Sequence, residues 1–280
     1  MKIENYKIGN FASLYFQYFL RYNKPMVKLK TPAQIETMRR GGKILAFILD
    51  SVIKKIRPGM GTEELNNYAE ELIKEAGAKP SFKGYRAVWA ERAYPAALCL
   101  SINQEVVHGL PVPNRIIRVG DIIGIDCGLE YQGMFTDMSR TIAVGKVDQK
   151  TKKLIKITEQ ALYAGIKKIK AGQKLSEISR AIQSHVEKNN FQVVRQLVGH
   201  GVGFAAHEEP QIPNYVDQNF PEVILKSGMT LAIEPMVNLG NWPVETLADG
   251  WTMVTADGSL SAHFEHTVAV IDKGYEILTK

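Results

Sequence analysis

Four acids and a cluster of histidines carry the chemistry that can be read from this chain. Asp126 closes the apolar run Gly120–Asp126 (GDIIGID), and Glu234 closes the similar run Gly228–Glu234 (GMTLAIE). A second acid in each region, Asp137 and Glu265, precedes a threonine-containing strand sequence, Thr141–Val144 and Thr267–Val270. Five of the six histidines, His108, His200, His207, His263 and His266, lie in or beside these segments, and His185 falls on a plain helix. A single acid is ordinarily a solvated surface group. Here Ile122, Ile123 and Ile125, with Leu231 and Ile233 in the other run, place Asp126 and Glu234 at or beside buried backbone. A buried carboxylate without a partner is costly, and a metal ion is one way to compensate it. Four carboxylates and one imidazole form a hard, oxygen-rich set that suits a pair of divalent ions such as manganese, iron(II) or cobalt better than a thiolate zinc site. Four anions also offset two dications. Two ions about 3.5–4 Å apart can bridge and acidify a water and polarise a carbonyl. The implied chemistry is dinuclear hydrolysis, and the substrate stays open.

The elements that must position these groups repeat. Thr31, Pro32 and Gln34 form a capping box with proline at the first helical position, and Ile35 to Ile56 recur at helical spacing until Pro58-Gly59 stops them. A second helix over Thr62–Ala76 ends at Gly77. The pattern returns as helices over Thr151–Lys170 and Leu175–Phe191, separated by Gly172. Each half then has a His-Gly pair, His108-Gly109 and His200-Gly201, and two acids. The economical fold is a single α+β domain with a pseudo-twofold axis and a site between its halves.

With 280 residues, 45% hydrophobic and 23% charged, the chain can bury a sizeable core and has the composition of an ordinary globular protein. No apolar run reaches the ~20 residues of a membrane helix, and Phe11–Leu20 lacks the cleavage site of a signal peptide. Two cysteines, Cys99 and Cys127, exclude a disulfide framework. A cytoplasmic location is expected. Of the net +6, residues 1–30 supply +5, from Lys2, Lys7, Arg21, Lys24, Lys28 and Lys30 against Glu4. The body of the chain therefore has no net attraction for polyanions.

The blocks SINQEVVHG (Ser101–Gly109), IDCGLEYQGMFTDMSRT (Ile125–Thr141), GHGVGFAAHEEP (Gly199–Pro210), TLAIEPMV (Thr230–Val237) and SAHFEHT (Ser261–Thr267) resemble the type I methionine aminopeptidases, in the same order and from about Lys28 to Lys280. The resemblance implies the pita-bread fold: a curved, antiparallel-rich sheet with pseudo-twofold symmetry and helices on its outer face. It implies Asp126, Asp137, His200, Glu234 and Glu265 as ligands of two divalent ions (cobalt, manganese, iron(II) or zinc), with Asp137 and Glu265 bridging. It implies His108 and His207 as substrate-contacting histidines and Glu234 as the proton shuttle. The reaction implied is removal of the initiator methionine from nascent polypeptides whose second residue is small. A methionine pocket is implied at Phe82, Tyr85, Tyr94, Cys99 and Trp251.

Departures from the family pattern stand near that pocket. About six extra residues lie between Tyr85 and Tyr94, in the segment RAVWAERA. Ala206 replaces a larger apolar residue beside His207, and His263 stands where glutamine is frequent. Residues 1–27 are expected to form a basic, aromatic extension, with Phe11, Tyr15, Phe16, Tyr18, Phe19 and Tyr22 crowded together, and residues 28–280 the catalytic domain. A transient ribosome contact through the extension and a monomeric state are expected.

Three rival readings fit the sequence less well. A proline-specific aminopeptidase of this fold carries a whole additional N-terminal domain, against 30 residues before Thr31 here. A type II methionine aminopeptidase needs a long insertion between His207 and Glu234, which are 27 positions apart. A non-catalytic ribosome- or nucleic-acid-associated scaffold on the same fold would lose ligands, and all five are present.

Overall fold

The computed structural model describes residues 27–280. The expected extension falls outside the described residues, apart from Val27. Two helices come first, α1 (Pro32–Lys55) and α2 (Thr62–Glu75). The Thr31 side chain accepts from Gln34 N–H, and the Gln34 side chain accepts from Thr31 N–H, completing the capping box. Strands β1 (Lys79–Pro80), β2 (Leu98–Ile102), β3 (Glu105–Val107), β4 (Ile122–Tyr131) and β5 (Met134–Ala143) follow.

The second half begins with α3 (Gln149–Ile166) and α4 (Ser176–Glu187). The sequence places the start of α3 at Thr151, two residues late, because the true cap is Asp148, whose carboxylate accepts from Thr151 N–H at 2.8 Å. The end expected at Lys170 is also too far, and α4 is shorter than Leu175–Phe191 at both ends. Then come β6 (Gln192–Val193), β7 (Val198–Gly201), β8 (Glu208–Pro213), β9 (Thr230–Ile233) and β10 (Met236–Asn238). The chain finishes with β11 (Val244–Thr246), β12 (Met253–Thr255), β13 (Ser261–His263), β14 (Glu265–Ile271) and β15 (Gly274–Ile277).

The main sheet runs β1-β4-β5-β14-β9-β7-β8, with β2 also on β4 and β15 also on β14, and every pairing in it is antiparallel. Side chains alternate across it. On β4, Ile123, Ile125, Cys127 and Leu129 join Leu45, Ile48, Leu49, Leu65 and Ile73 of α1 and α2 in one buried core. In the other half, Leu231, Ile233, Val268 and Val270 meet Leu154, Leu162, Ile166, Ile178 and Ile182 of α3 and α4. The helices cover these faces, so Asp126 of β4 and its neighbours in register are left on the opposite one.

The register also defines the repeat. Asp126 pairs with Ser139, and Ser139 pairs with Glu265. One step beyond the last β9–β14 pair, His266 with Ile233, Glu234 comes level with Glu265. The row Asp126, Ser139, Glu265, Glu234 is thus symmetric about the β5–β14 contact, and Glu234 is the counterpart of Asp126. The counterpart of Glu265 is Ser139, however, and the same 126-residue step carries Asp137 to His263 and Thr141 to Thr267. The equivalence of Asp137 with Glu265 suggested by the sequence is therefore off by two residues along the strand.

The His-Gly equivalence fails too. His200 lies opposite Ala232 on β9, which makes Ser101 of β2 its counterpart, whereas His108 follows β3. The two glycines resemble each other for a local reason. A Cβ on Gly109 would collide with the carbonyl of Leu100, and one on Gly201 with the carbonyl of Glu209.

Candidate active site

Asp137 pairs with Gly128 on β4, so it lies diagonal to Asp126 on the same face, within side-chain reach. Its backbone is fixed by Thr267, whose hydroxyl accepts from Asp137 N–H at 2.8 Å and donates to Asp137 C=O at 2.9 Å. Asp137, His200 and Glu265 each offer a ligand atom within 4.8 Å of the others. Glu234 approaches from β9, with Oε1 3.4 Å from His200 Nε2. Asp126 completes the group. The strand register therefore brings all five sequence-predicted ligands to one patch.

The electrostatics of this patch call for a cation. Burial raises the carboxyls of Asp126, Glu234 and Glu265 well above the usual range, and their mutual repulsion adds to it. Burial likewise lifts Asp137 to about 7. Among the described residues no lysine or arginine forms an ion pair with any of the four. Asp126 Oδ1 and Glu265 Oε1 are buried without a hydrogen-bond partner. His200 Nδ1 lies 2.9 Å from the carbonyl of Gly201, so it carries the proton and leaves the Nε2 lone pair facing Glu234. Two acceptors facing each other across 3.4 Å fit a shared positive ion. The oxygen-rich donor set matches hard or borderline divalent cations.

Around the acids stand the histidines. The rings of His200 and His207 are 4.3 Å apart, and His207 lies 4.8 Å from Tyr85. Desolvation holds His207 down at about 3 and His108 at about 4, so both are neutral at physiological pH. His108 has φ 57°, a left-handed conformation costing a non-glycine residue about 1–2 kcal/mol. Backbone closure of Gly109 onto Leu100 N–H at 2.8 Å holds it there. Its buried Nδ1 has no protein partner.

Phe82, Tyr94, Cys99 and Trp251 form one buried apolar cluster with Tyr85 at its margin, so the five pocket residues implied by the resemblance do converge. The Tyr94 hydroxyl reaches the carbonyls of Leu98 and Gly109, each at 3.0 Å. The extra segment after Tyr85 is pinned at its base by Tyr94 N–H to Tyr85 C=O at 2.8 Å. At its far end Trp251 Nε1–H donates to Arg92 C=O at 3.1 Å. It sets Trp89 4.9 Å from Trp251 and stacked 6.0 Å from His108. Sequence reasoning missed Trp89 as a site residue. The signal was an aromatic in an insertion beside a pocket, but nothing local says where such a loop lands.

The loop bearing His207 is also held. Glu208 accepts from the amides of Phe204 and Ala205, and its other oxygen takes the Lys30 ammonium at 2.6 Å. Lys30 is almost fully buried, and its own amide donates to Gly228 C=O at 2.7 Å. Ala206 is buried between Phe204 and His207, and His185 lies away from the site on α4.

Buried acids facing a nitrogen ligand on a pseudo-symmetric antiparallel sheet are the arrangement of a metal-dependent hydrolase. Residues 36–272 match the model of metallopeptidase family M24, and the chain belongs to that family. Methionine aminopeptidases are its relatives there. Methionine aminopeptidase 1 of Bacillus subtilis is 48% identical over 255 residues, covering 91% of this chain and all of the relative. A methionine aminopeptidase of Clostridium perfringens is 47% identical, covering 91% of this chain and 99% of the relative. The crystal structure of the Thermotoga maritima methionine aminopeptidase superposes with a TM-score of 0.86 at 46% identity, over 91% of this chain and all of that one. The fold is the pita-bread fold. The alternative of a non-catalytic scaffold finds no support in these matches.

Proposed function

We propose that this chain removes the initiator methionine from nascent polypeptides whose second residue is small, using a dinuclear metal centre. The observation that carries the reading is the junction of two features. Five ligand candidates, four buried and Glu234 half-buried, stand with unpaired oxygens and a free imidazole lone pair, beside an apolar cluster of Phe82, Tyr94, Cys99 and Trp251. An unbranched thioether side chain suits such a lining.

Asp126, Asp137, His200, Glu234 and Glu265 would hold two divalent ions, which supply an acidified water and polarise the scissile carbonyl. Glu234, with its carboxyl raised by burial, accepts a proton and passes it to the leaving amine. His207, neutral at working pH, donates an N–H toward the developing oxyanion. His108 offers its unpartnered nitrogen to the peptide. The free α-amino group would be received beside Asp126, at the second of the two ions, which would restrict cleavage to chain ends. The ligand set does not select among cobalt, manganese, iron(II) and zinc.

The test is release of methionine from Met-Ala and Met-Gly peptides by purified protein loaded with Mn²⁺, against the same protein after chelation. Activity that survives chelation, or its absence from the loaded protein, removes the reading.

A further inference from the structure

We infer that His263 is a positioning residue for Glu234, a role resting on the functional reading above. Three observations meet at this side chain. First, the pseudo-twofold makes His263 the counterpart of Asp137, and the two backbones are held in the same way. Thr267 clasps the amide and carbonyl of Asp137, and Thr141 clasps those of His263, accepting from N–H at 2.9 Å and donating to C=O at 2.8 Å. The fold thus applies to His263 the restraint it applies to a candidate ligand.

Second, the ring is oriented. Ser139 Oγ lies 3.0 Å from His263 Nδ1, and Ser139 itself stands between Asp126 and Glu265 in the row of site residues. Third, the other ring nitrogen points at chemistry. His263 Nε2 is buried without a hydrogen-bond partner and lies 3.5 Å from Glu234 Oε2, while Glu234 Oε1 faces His200.

These contacts choose the tautomer. If Nδ1 carried the proton, the Nε2 lone pair would face a carboxylate oxygen and repel it. With the Ser139 hydroxyl donating to Nδ1, the proton sits on Nε2 and points at Glu234. A small rotation of the carboxylate brings 3.5 Å to hydrogen-bond length. Glu234 then has one oxygen fixed by the His263 N–H, while the other faces the His200 lone pair across the gap a cation would fill. Its rotation is fixed and one oxygen is kept aimed at the centre. Glutamine at this position, by offering an amide N–H at similar reach, would do the same work.

The experiment compares wild type with H263Q, H263L and H263N, all shown to be folded by thermal melting, in two assays. Steady-state kinetics on a Met-Ala peptide with Mn²⁺ should give kcat reduced 10–100-fold in H263L, the usual loss when a supporting group behind a ligand is removed. KM should stay within about twofold, and H263Q should recover to within about threefold of wild type. Calorimetric titration of the chelated proteins with Mn²⁺ should show weaker binding in H263L, by tenfold or more, and near-normal binding in H263Q. Asparagine is too short to reach Glu234, so H263N should behave as H263L and replaces it if the leucine variant does not fold. Equal losses in H263Q and H263N, or no loss in H263L, would overturn the inference while wild-type activity keeps the functional reading intact. Wild-type protein that releases no methionine removes both.

Discussion

Ser139 of β5 and Glu265 of β14 face each other across the sheet, and the pseudo-twofold axis passes between them. The two halves are therefore equivalent in backbone and unequal in chemistry at their centre. A second acid at position 139 would put another buried negative charge among four, whereas a hydroxyl can serve as a hydrogen-bond partner to His263. Divergence of the repeat reaches the axis itself, and it also separates Asp137 from His263 and Ser101 from His200.

Removal of one acid tests the proposed centre. Asp137→Ala should lower methionine release by ~10²-fold or more and reduce bound Mn²⁺ from two ions to one or none per chain. Metal analysis alongside a Met-Ala assay checks both. A variant that keeps its rate and metal content would exclude Asp137 from the centre.

His207→Ala should keep the fold and the metal and lower kcat ~10²-fold, the cost of one lost transition-state donor being about 2.7–4 kcal/mol. His185→Ala, on α4 and away from the acids, should leave kcat unchanged. Parallel kinetics and metal analysis of the two variants decide the matter, and equal loss in both would show that proximity to His200 has no bearing on the chemistry.

Trp89 belongs to the rim of the pocket through Trp251 and His108. Aromatic contacts of this kind contribute about 0.5–1.5 kcal/mol beyond area burial. Trp89→Ala should raise KM for a Met-Ala tripeptide roughly two- to tenfold, with kcat little changed. Loss in kcat alone would mean that the loop acts on the chemistry and not on binding.

The site leaves a signature in stability against pH. The carboxyls of Asp126, Asp137, Glu234 and Glu265 are raised by burial, so the folded protein retains protons that the unfolded chain has released, and stability falls as pH rises. The buried histidines His108, His200, His207, His263 and His266 act with the opposite sign, and their effect fades within about one pH unit above their ordinary value of 6.5. From about pH 7.5 to 8.5 the acids dominate. Tm of chelated protein should decline across that window, and saturating Mn²⁺ should largely abolish the decline by replacing the protons. A flat or rising Tm in chelator would contradict the assignment.

Sequence patterning showed the acids, the helices and the existence of a repeat because each is a local matter: an apolar run ending in Asp126, a capping box at Thr31, a glycine break at Gly172. Pairing is not local. That Ser139 meets Glu265, and that Thr267 grips Asp137 from 130 residues away, depends on strand register, which neither segment specifies alone. The His-Gly doublets misled for the same reason, since two close backbone approaches demand glycine without being equivalent. Trp89 was invisible as a site residue because a loop anchored at Tyr85 and Tyr94 can project in many directions until Trp251 supplies the second anchor.

Lys30 and Glu208 are separated by 178 positions, yet their contact holds the turn from which His207 projects. The turn can settle only after the segment ahead of α1 has closed on a region made much later in synthesis, and such long closures are entropically costly. Competence is thereby tied to completion. A growing chain that has folded α1, α2 and the β4–β5 pair holds Asp126 and Asp137 and nothing that arranges His207. Asp126 and Asp137 are made first and His200, Glu234 and Glu265 last, so a chain interrupted before Glu265 lacks part of the candidate site.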